Sequence, residues 1–362
     1  MYVFHPGDYF VQLGDLRATF PAWLKKRIHA QIAVLADEHT LQYCLPVFEE
    51  KTGLRLGENA IVIPAGEQHK SLSMCTFVWN AMLEAGLDRK ALLINLGGGV
   101  IGDMGGFCAA TWKRGIDFVQ VPTTLLGMTD AAIGGKLGID FQGVKNTIGV
   151  FCEPAGVFVD PVFLDTLPER ELRSGFAEVI KHALIGDPAL WKAINAKNFK
   201  LGKRLNAQDG LSYMDLLRAS IEVKARVVKE DPYEKGLRAL LNFGHTVGHT
   251  LESYFLETTE PLTHGEAVAI GIICETCIGA GKKHLDKVAE LILKHFPHRP
   301  IPMHAADVLL ELMRHDKKNA SGKVRMAIPG RKPFSMKILE PRDEEIRRSL
   351  EYYNDLRLMT SK

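Results

Sequence analysis

The sequence predicts an α/β domain followed by a mostly helical one, and three observations carry that expectation. Up to about residue 160, short β-branched runs alternate with longer helical patterns, the signature of β-α units on a mainly parallel sheet. Strand-like runs then become scarce, and apolar residues recur at helical spacing. A length of 362 residues suits two domains of ordinary size, each able to bury its own core. The expected domains are residues 1–165 and 166–362.

In chain order, the expected strands are Gln31–Ala36, Ala60–Ile63, Ala91–Leu96, Ile116–Val121 and Val157–Val159. Between the second and third, Ser71–Gly86 keeps Phe77, Val78, Met82 and Leu83 at helical spacing, with Gly86 as a stop. Helices are expected over Phe176–Ile185, Tyr213–Val228, Leu240–Phe255 and Glu266–Ala280. A late run, Lys323–Ile328, reads as a strand. The closing segment Asp343–Leu356 places Ile346, Leu350, Tyr353 and Leu356 on one helical face.

Composition excludes several classes of function. Forty-five Lys and Arg against 43 Asp and Glu leave a net charge of +2, so no global basic field exists to hold nucleic acid. The start, Met1 to Pro6, lacks the basic and apolar regions of a signal peptide, which points to the cytoplasm. Ala267–Ala280, the longest apolar stretch, is interrupted by Glu275 and is too short to cross a bilayer, so no membrane partner is expected. Six scattered cysteines read as free thiols; Cys274 and Cys277 lack the second pair that a structural zinc site needs and are assigned to packing.

The run Gly97-Gly98-Gly99-Val100-Ile101-Gly102-Asp103 follows an apolar strand and opens a helical stretch. It satisfies G-x-G-x-x-G in the context where backbone N–H groups and a helix N-terminus can cradle a pyrophosphate. A tight structural turn would use the same glycines. Asp117, 20 residues after Gly97, matches the acidic residue of the dinucleotide fingerprint but falls inside the next strand.

His245 and His249 lie four residues apart, on one helical face, and His264-Gly265-Glu266 opens the next helix. No Glu follows His245, so the H-E-x-x-H pattern of metalloproteases is absent. Glu178 shares a helix face with Lys181. Two or three histidines with one carboxylate suit zinc or a similar divalent ion with an open coordination position. On spacing alone, His249 is the favoured second ligand. Local cations adjoin constrained segments at Arg114, Lys136, Lys145, Lys181, Lys224, Arg238 and Lys317-Lys318.

Taken together, these strings resemble the 3-dehydroquinate synthase family of sugar phosphate cyclases. The resemblance rests on Gly66-Glu67-x-x-Lys70, Gly97 to Asp103, Val121-Pro-Thr-Thr-Leu-Leu126, Gly134-Gly-Lys136, Lys145-Asn146, Phe163-Leu-x-Thr166, Ala177-Glu-Val-Ile-Lys181, Leu240-Leu-Asn-Phe-Gly-His245, His264-Gly-Glu266 and Asp316-Lys-Lys318, all in family order. It implies a Rossmann-like nucleotide-binding domain, a mostly helical metal- and substrate-binding domain, a homodimer, and NAD in a cleft beside a zinc or cobalt ion. It further implies Glu178, His245 and His264 as metal ligands, with His249 contacting substrate and relaying protons. The cofactor residues it implies are Asp37, Glu67, Lys70, Gly98, Gly99, Val100, Gly102, Asp103, Thr123, Thr124, Lys136, Lys145, Phe163 and Thr166. The substrate residues are Arg114, Asp130, Lys136, Asn146, Lys181, Lys224, Arg238, Asn242, His249 and one of Lys317 and Lys318.

The implied substrate, 3-deoxy-D-arabino-heptulosonate 7-phosphate, carries a carboxylate and a phosphate that call for Lys and Arg donors. In the implied chemistry NAD oxidises C5, phosphate is eliminated, hydride returns, the ring opens and an internal aldol step closes the carbocycle. One departure stands out. The family often has Asp-Ser-Ser before Gly-Gly-Lys and Thr after it, whereas Asp130-Ala131-Ala132-Ile133-Gly134-Gly135-Lys136-Leu137 has three hydroxyls fewer. Competing readings are a sibling cyclase using sedoheptulose 7-phosphate, a metal-dependent polyol dehydrogenase, and a nucleotide-binding homologue without turnover.

Overall fold

The computed structural model describes residues 1–142, 144–202, 211–256, 258–315 and 323–360. They form two compact units, one of residues 1–172 with 202–233 and one of residues 173–201 with 234–362. Residues 202–233, which the sequence assigned to the helical domain, therefore belong with the sheet. The reason is local: helix Tyr213–Glu230 buries Leu216, Leu217, Ile221 and Val228 and packs on the first two strands and the turn Gly127–Ala131.

The first unit carries a seven-stranded sheet. Its strands are β1 (Tyr2–Phe4), β2 (Val11–Leu13), β3 (Ile32–Asp37), β4 (Ala60–Ile63), β5 (Leu92–Gly97), β6 (Asp117–Pro122) and β9 (Gly156–Val159), while β7 (Lys136–Phe141) and β8 (Val144–Phe151) form a separate hairpin. The order is β1-β2-β9-β6-β5-β3-β4. Every neighbouring pair from β2 to β4 is parallel, and only β1 runs antiparallel. All of β5 is buried, as a central parallel strand covered on both faces requires. The five expected strands are present. β1, β2 and the hairpin were not expected, because three-residue strands show no alternation and β8 mixes Lys145, Asn146 and Thr147 into its run.

β3 is followed by its neighbour β4 on one side, while β5, on the other side of β3, is followed by β6 further out, so the chain leaves the carboxyl ends of β3 and β5 in opposite directions. This is the switch point at which open α/β sheets receive ligands. Leu35 pairs with Asn95, which puts Asp37 level with Gly97 at that edge.

Among its described residues, the second unit has no strands apart from the hairpin β10 (Met326–Pro329) and β11 (Met336–Leu339) and is otherwise mainly helical. Its centre is helix His264–Gly279, buried continuously from Gly265 to Thr276 and packed by His245–Leu256, Lys282–His295 and Asp343–Thr360. A helix apolar all round belongs in a core. The continuous helix expected over Leu240–Phe255 is instead a 3-10 turn, Leu237–Asn242, a break at Gly244, and a helix that starts at His245. Gly244 adopts φ 79°, a left-handed conformation that ends one segment before the next begins. Among the described residues no helix is long and apolar enough to cross a membrane, and all six cysteines are free.

Candidate active site

At the sheet edge the glycines are needed for room. A Cβ on Gly97 would lie 2.5 Å from the Ile101 side chain, and one on Gly98 would lie 3.0 Å from Thr124 Cγ2. Gly98 is the N-cap of helix Gly99–Thr111 and offers no side-chain cap, so the first turn presents its N–H groups to a ligand. Thr123 donates its N–H to the Gly97 carbonyl at 3.0 Å, which seats Thr123 and Thr124 beside the turn. Ala131 and Ala132 help line the small recess there. Asp37 caps helix Glu38–Tyr43 through a reciprocal bond pair with Thr40. Phe163 is buried in the turn Pro161–Asp165 after β9, and Thr166 follows it at the surface.

A polar network adjoins this edge. Buried Lys70 donates from Nζ to Asp103 Oδ2 and to Asn146 Oδ1, each at 2.6 Å, and Lys145 lies 3.5 Å from Glu67. Burial opposes the Lys70 charge, yet the neighbouring Asp103 and Glu67 carboxylates hold its pKa above the ordinary lysine value. Asn146 adopts φ 49°, a conformation uncommon for a residue with a Cβ, and donates its N–H to Asp140 Oδ1 at 2.8 Å. Asp140 in turn donates its N–H to the Lys70 carbonyl at 2.9 Å. Burial pushes the Asp140 carboxyl up. Sequence reasoning missed Asp140 because it carries no motif; its part is to fix backbone.

Lys224 Nζ donates to Asp130 Oδ1 at 2.6 Å, and the lysine is buried. Lys136 begins β7 as an exposed residue after Gly134 and Gly135, whose φ values are 114° and 63°. Arg114 is not brought to this edge. It follows the C-terminus of the 13-residue helix that starts at Gly99. Such a helix spans about 20 Å, which leaves Arg114 at the opposite end of the sheet.

In the second unit, Glu178 and Lys181 form a fully buried ion pair on helix Glu169–Gly186. His245 and His264 are the first residues of their helices, and both direct Nε2 at Glu178 Oε1, at 3.5 and 3.6 Å. Their other nitrogens are engaged. His245 Nδ1 lies 3.1 Å from the Phe243 carbonyl and His264 Nδ1 3.2 Å from Glu252 Oε2. This is how metal-binding imidazoles are oriented, so the donor set fits a divalent cation with an open position. Without one, burial works against a charge on His264, but hydrogen bonds to Glu178 and Glu252 hold its pKa up to about 10.

The start of the His264 helix is set by sequence. Thr263 and Glu266 form a capping box, and Gly265 donates its N–H to Ser174 Oγ at 3.0 Å. A Cβ on Gly265 would sit 1.9 Å from the Ser174 carbonyl oxygen, one helical turn before Glu178. Only glycine allows that approach. His249 stands one turn beyond His245, with ligating atoms of all three histidines within 4.8 Å of one another. Asn242 donates to Glu234 at 2.6 Å, and Arg238 is buried in the same 3-10 turn. Lys317 and Lys318 lie outside the described residues.

Residues 60–174 match the family model for the 3-dehydroquinate synthase N-terminal part, and residues 175–319 match that for the C-terminal part. The chain belongs to the 3-dehydroquinate synthase family. A 3-dehydroquinate synthase from Parabacteroides distasonis is 37% identical, covering 87% of this chain and 88% of its own. One from Synechocystis is 46% identical, covering 74% and 75%. A 2-epi-5-epi-valiolone synthase from Streptomyces hygroscopicus, solved with NAD+ and Zn2+, is 26% identical with a TM-score of 0.81 over 97% of this chain and 98% of that one. Membership in the 3-dehydroquinate synthase family makes the chain an enzyme of the lyase type, and its α/β and helical parts are those expected.

Proposed function

We propose that the chain converts 3-deoxy-D-arabino-heptulosonate 7-phosphate to 3-dehydroquinate and phosphate, a step of the shikimate pathway. The observation that carries this reading is two imidazoles turned onto one buried carboxylate in a chain of this family. When bound, NAD supplies a reversible hydride acceptor, and zinc or cobalt polarises substrate hydroxyls. Glu178, His245 and His264 would hold the ion. The turn Gly98–Asp103, with Asp37, Glu67, Lys70, Thr123, Thr124, Lys136, Lys145, Phe163 and Thr166, would hold the dinucleotide. In this reading residues 1–165 serve the cofactor, and residues 166–362 serve the metal and most of the substrate.

The substrate's two anionic groups are bound by charge-assisted donors drawn from Lys136, Lys181, Lys224, Arg238 and one of Lys317 and Lys318, while Asn146 and Asn242 orient hydroxyls; Arg114, at the opposite end of the sheet, is left out of this set. Asp130 holds the Lys224 ammonium in place. His249 and Lys181 hold and move protons at the substrate hydroxyls. The protein is read as a cytoplasmic homodimer, which a solution mass of twice the chain mass checks.

The test supplies the heptulosonate phosphate, trace NAD and a divalent ion. One phosphate and one carbocycle per sugar are expected, with no lasting NADH absorbance. Stoichiometric NADH would identify a dehydrogenase instead. Phosphate release from sedoheptulose 7-phosphate, and not from the heptulosonate, would identify a sibling cyclase.

A further inference from the structure

Glu275 is a carboxylate with 0% exposure that follows the apolar run Ala267–Cys274 of its helix. The function above makes no use of it. Its two oxygens accept from the backbone of the neighbouring helix: Oε2 from Gly244 N–H at 2.7 Å and Oε1 from Val247 N–H at 3.1 Å. Those two donors flank His245. The helix His245–Leu256 has no acidic residue in its first turn, and Gly244 before it has no side chain with which to cap. Its orphan N–H groups and positive dipole end are met from 31 residues along the chain.

Glycines allow the approach. A Cβ on Gly271 would lie 1.9 Å from the Gly244 carbonyl oxygen, and one on Gly248 would lie 3.1 Å from Val268 Cα. Glu275 is one turn beyond Gly271, on the side of the helix that meets this seam. The same helix begins with His264, so one rigid element carries one imidazole at its first residue and the clamp for the other imidazole further along.

We infer that Glu275 is a positioning residue for the metal centre: by capping the His245 helix from within the His264 helix, it sets the spacing of the two imidazoles over Glu178. This rests on the ligand reading given above. Loss of the cap frees the first turn that holds His245, so the imidazole no longer stays within bonding reach of a shared ion.

The experiment measures Co2+ affinity by chelator competition, with the visible spectrum of the Co2+ protein as a second readout. Glu275→Gln keeps the size but only one acceptor, and about a tenfold to hundredfold loss of affinity is expected, with an altered spectrum. Glu275→Asp keeps the charge and loses the reach; it is expected to move both readouts the same way and decides the matter if the Gln variant does not fold. A merely structural role would lower the unfolding temperature of the metal-free protein and leave both readouts unchanged. His245→Ala separates the two layers of argument. If it keeps tight Co2+, the ligand reading fails. If it loses Co2+ while folded Glu275 variants bind as the unmodified chain does, the inference is overturned.

Discussion

Two imidazoles can share a cation only if each keeps a lone pair turned toward it, and here the Phe243 carbonyl and the Glu252 carboxylate hold the opposite nitrogens. On the ligand reading proposed above, His249 is not a ligand. His264→Ala should abolish tight metal binding and turnover together, whereas His249→Ala should keep the metal and slow turnover by about a hundredfold to ten-thousandfold, the usual range for a proton-transfer group. Metal content by elemental analysis beside the rate checks this; equal metal loss in both would make His249 a ligand. Asp140 acts differently, through the left-handed backbone of Asn146. Asp140→Ala removes a hydrogen bond worth about 1 kcal/mol to Asn146, whose Oδ1 accepts from the proposed cofactor residue Lys70, and should weaken NAD binding several-fold, with Asp140→Asn restoring it. Calorimetric titration with NAD distinguishes the two. A histidine-carboxylate metal set was legible in the sequence, but spacing alone favoured His249 as second ligand, and the choice of Glu178, His245 and His264 came from the family resemblance; Asp140 and Glu275 were not legible, since each serves backbone groups that leave no pattern.

Among the elements, the parallel strands were legible from their apolar runs, and helix Asp343–Thr360 from its one-sided spacing. The break at Gly244 was not, because it is forced by the neighbouring helix and not by local propensity. Contacts of this kind also govern acid stability. His295, in the last turn of helix Lys282–His295, lies with ring centroids 5.1 Å from Phe176 and 5.7 Å from Phe199. Burial pushes its pKa down to about 4 from the ordinary histidine value of 6.5. The unfolded chain then binds the proton more readily than the folded one, so stability falls as pH drops below about 6.5 and the loss is complete near 4. His295→Phe should flatten that stretch of the profile while leaving pH 7.5 little changed. Urea midpoints at pH 7.5 and 5.0 measure it, and an unchanged acid slope would refute the assignment.

For the whole molecule, the near-zero net charge was legible, and with it the expectation that anionic ligands are held by local cations. The return of residues 202–233 to the first unit was not, because helical periodicity says which face is buried but not against what. The division has a thermodynamic consequence. Glu178, His245 and His264 all fall in the second unit, and the Gly97–Asp103 turn in the first. A ligand that binds only the folded state stabilises it by mass action, about 2.7 kcal/mol at one hundred times its dissociation constant. Zinc should therefore raise the unfolding temperature of the chelator-stripped protein, and His264→Ala should lose that rise. NAD should still raise the unfolding temperature of His264→Ala, because the residues proposed to cradle it are untouched. Thermal scans with each ligand alone provide the check; a His264→Ala protein that no longer responds to NAD would show that the glycine turn is not complete without the metal-binding helices.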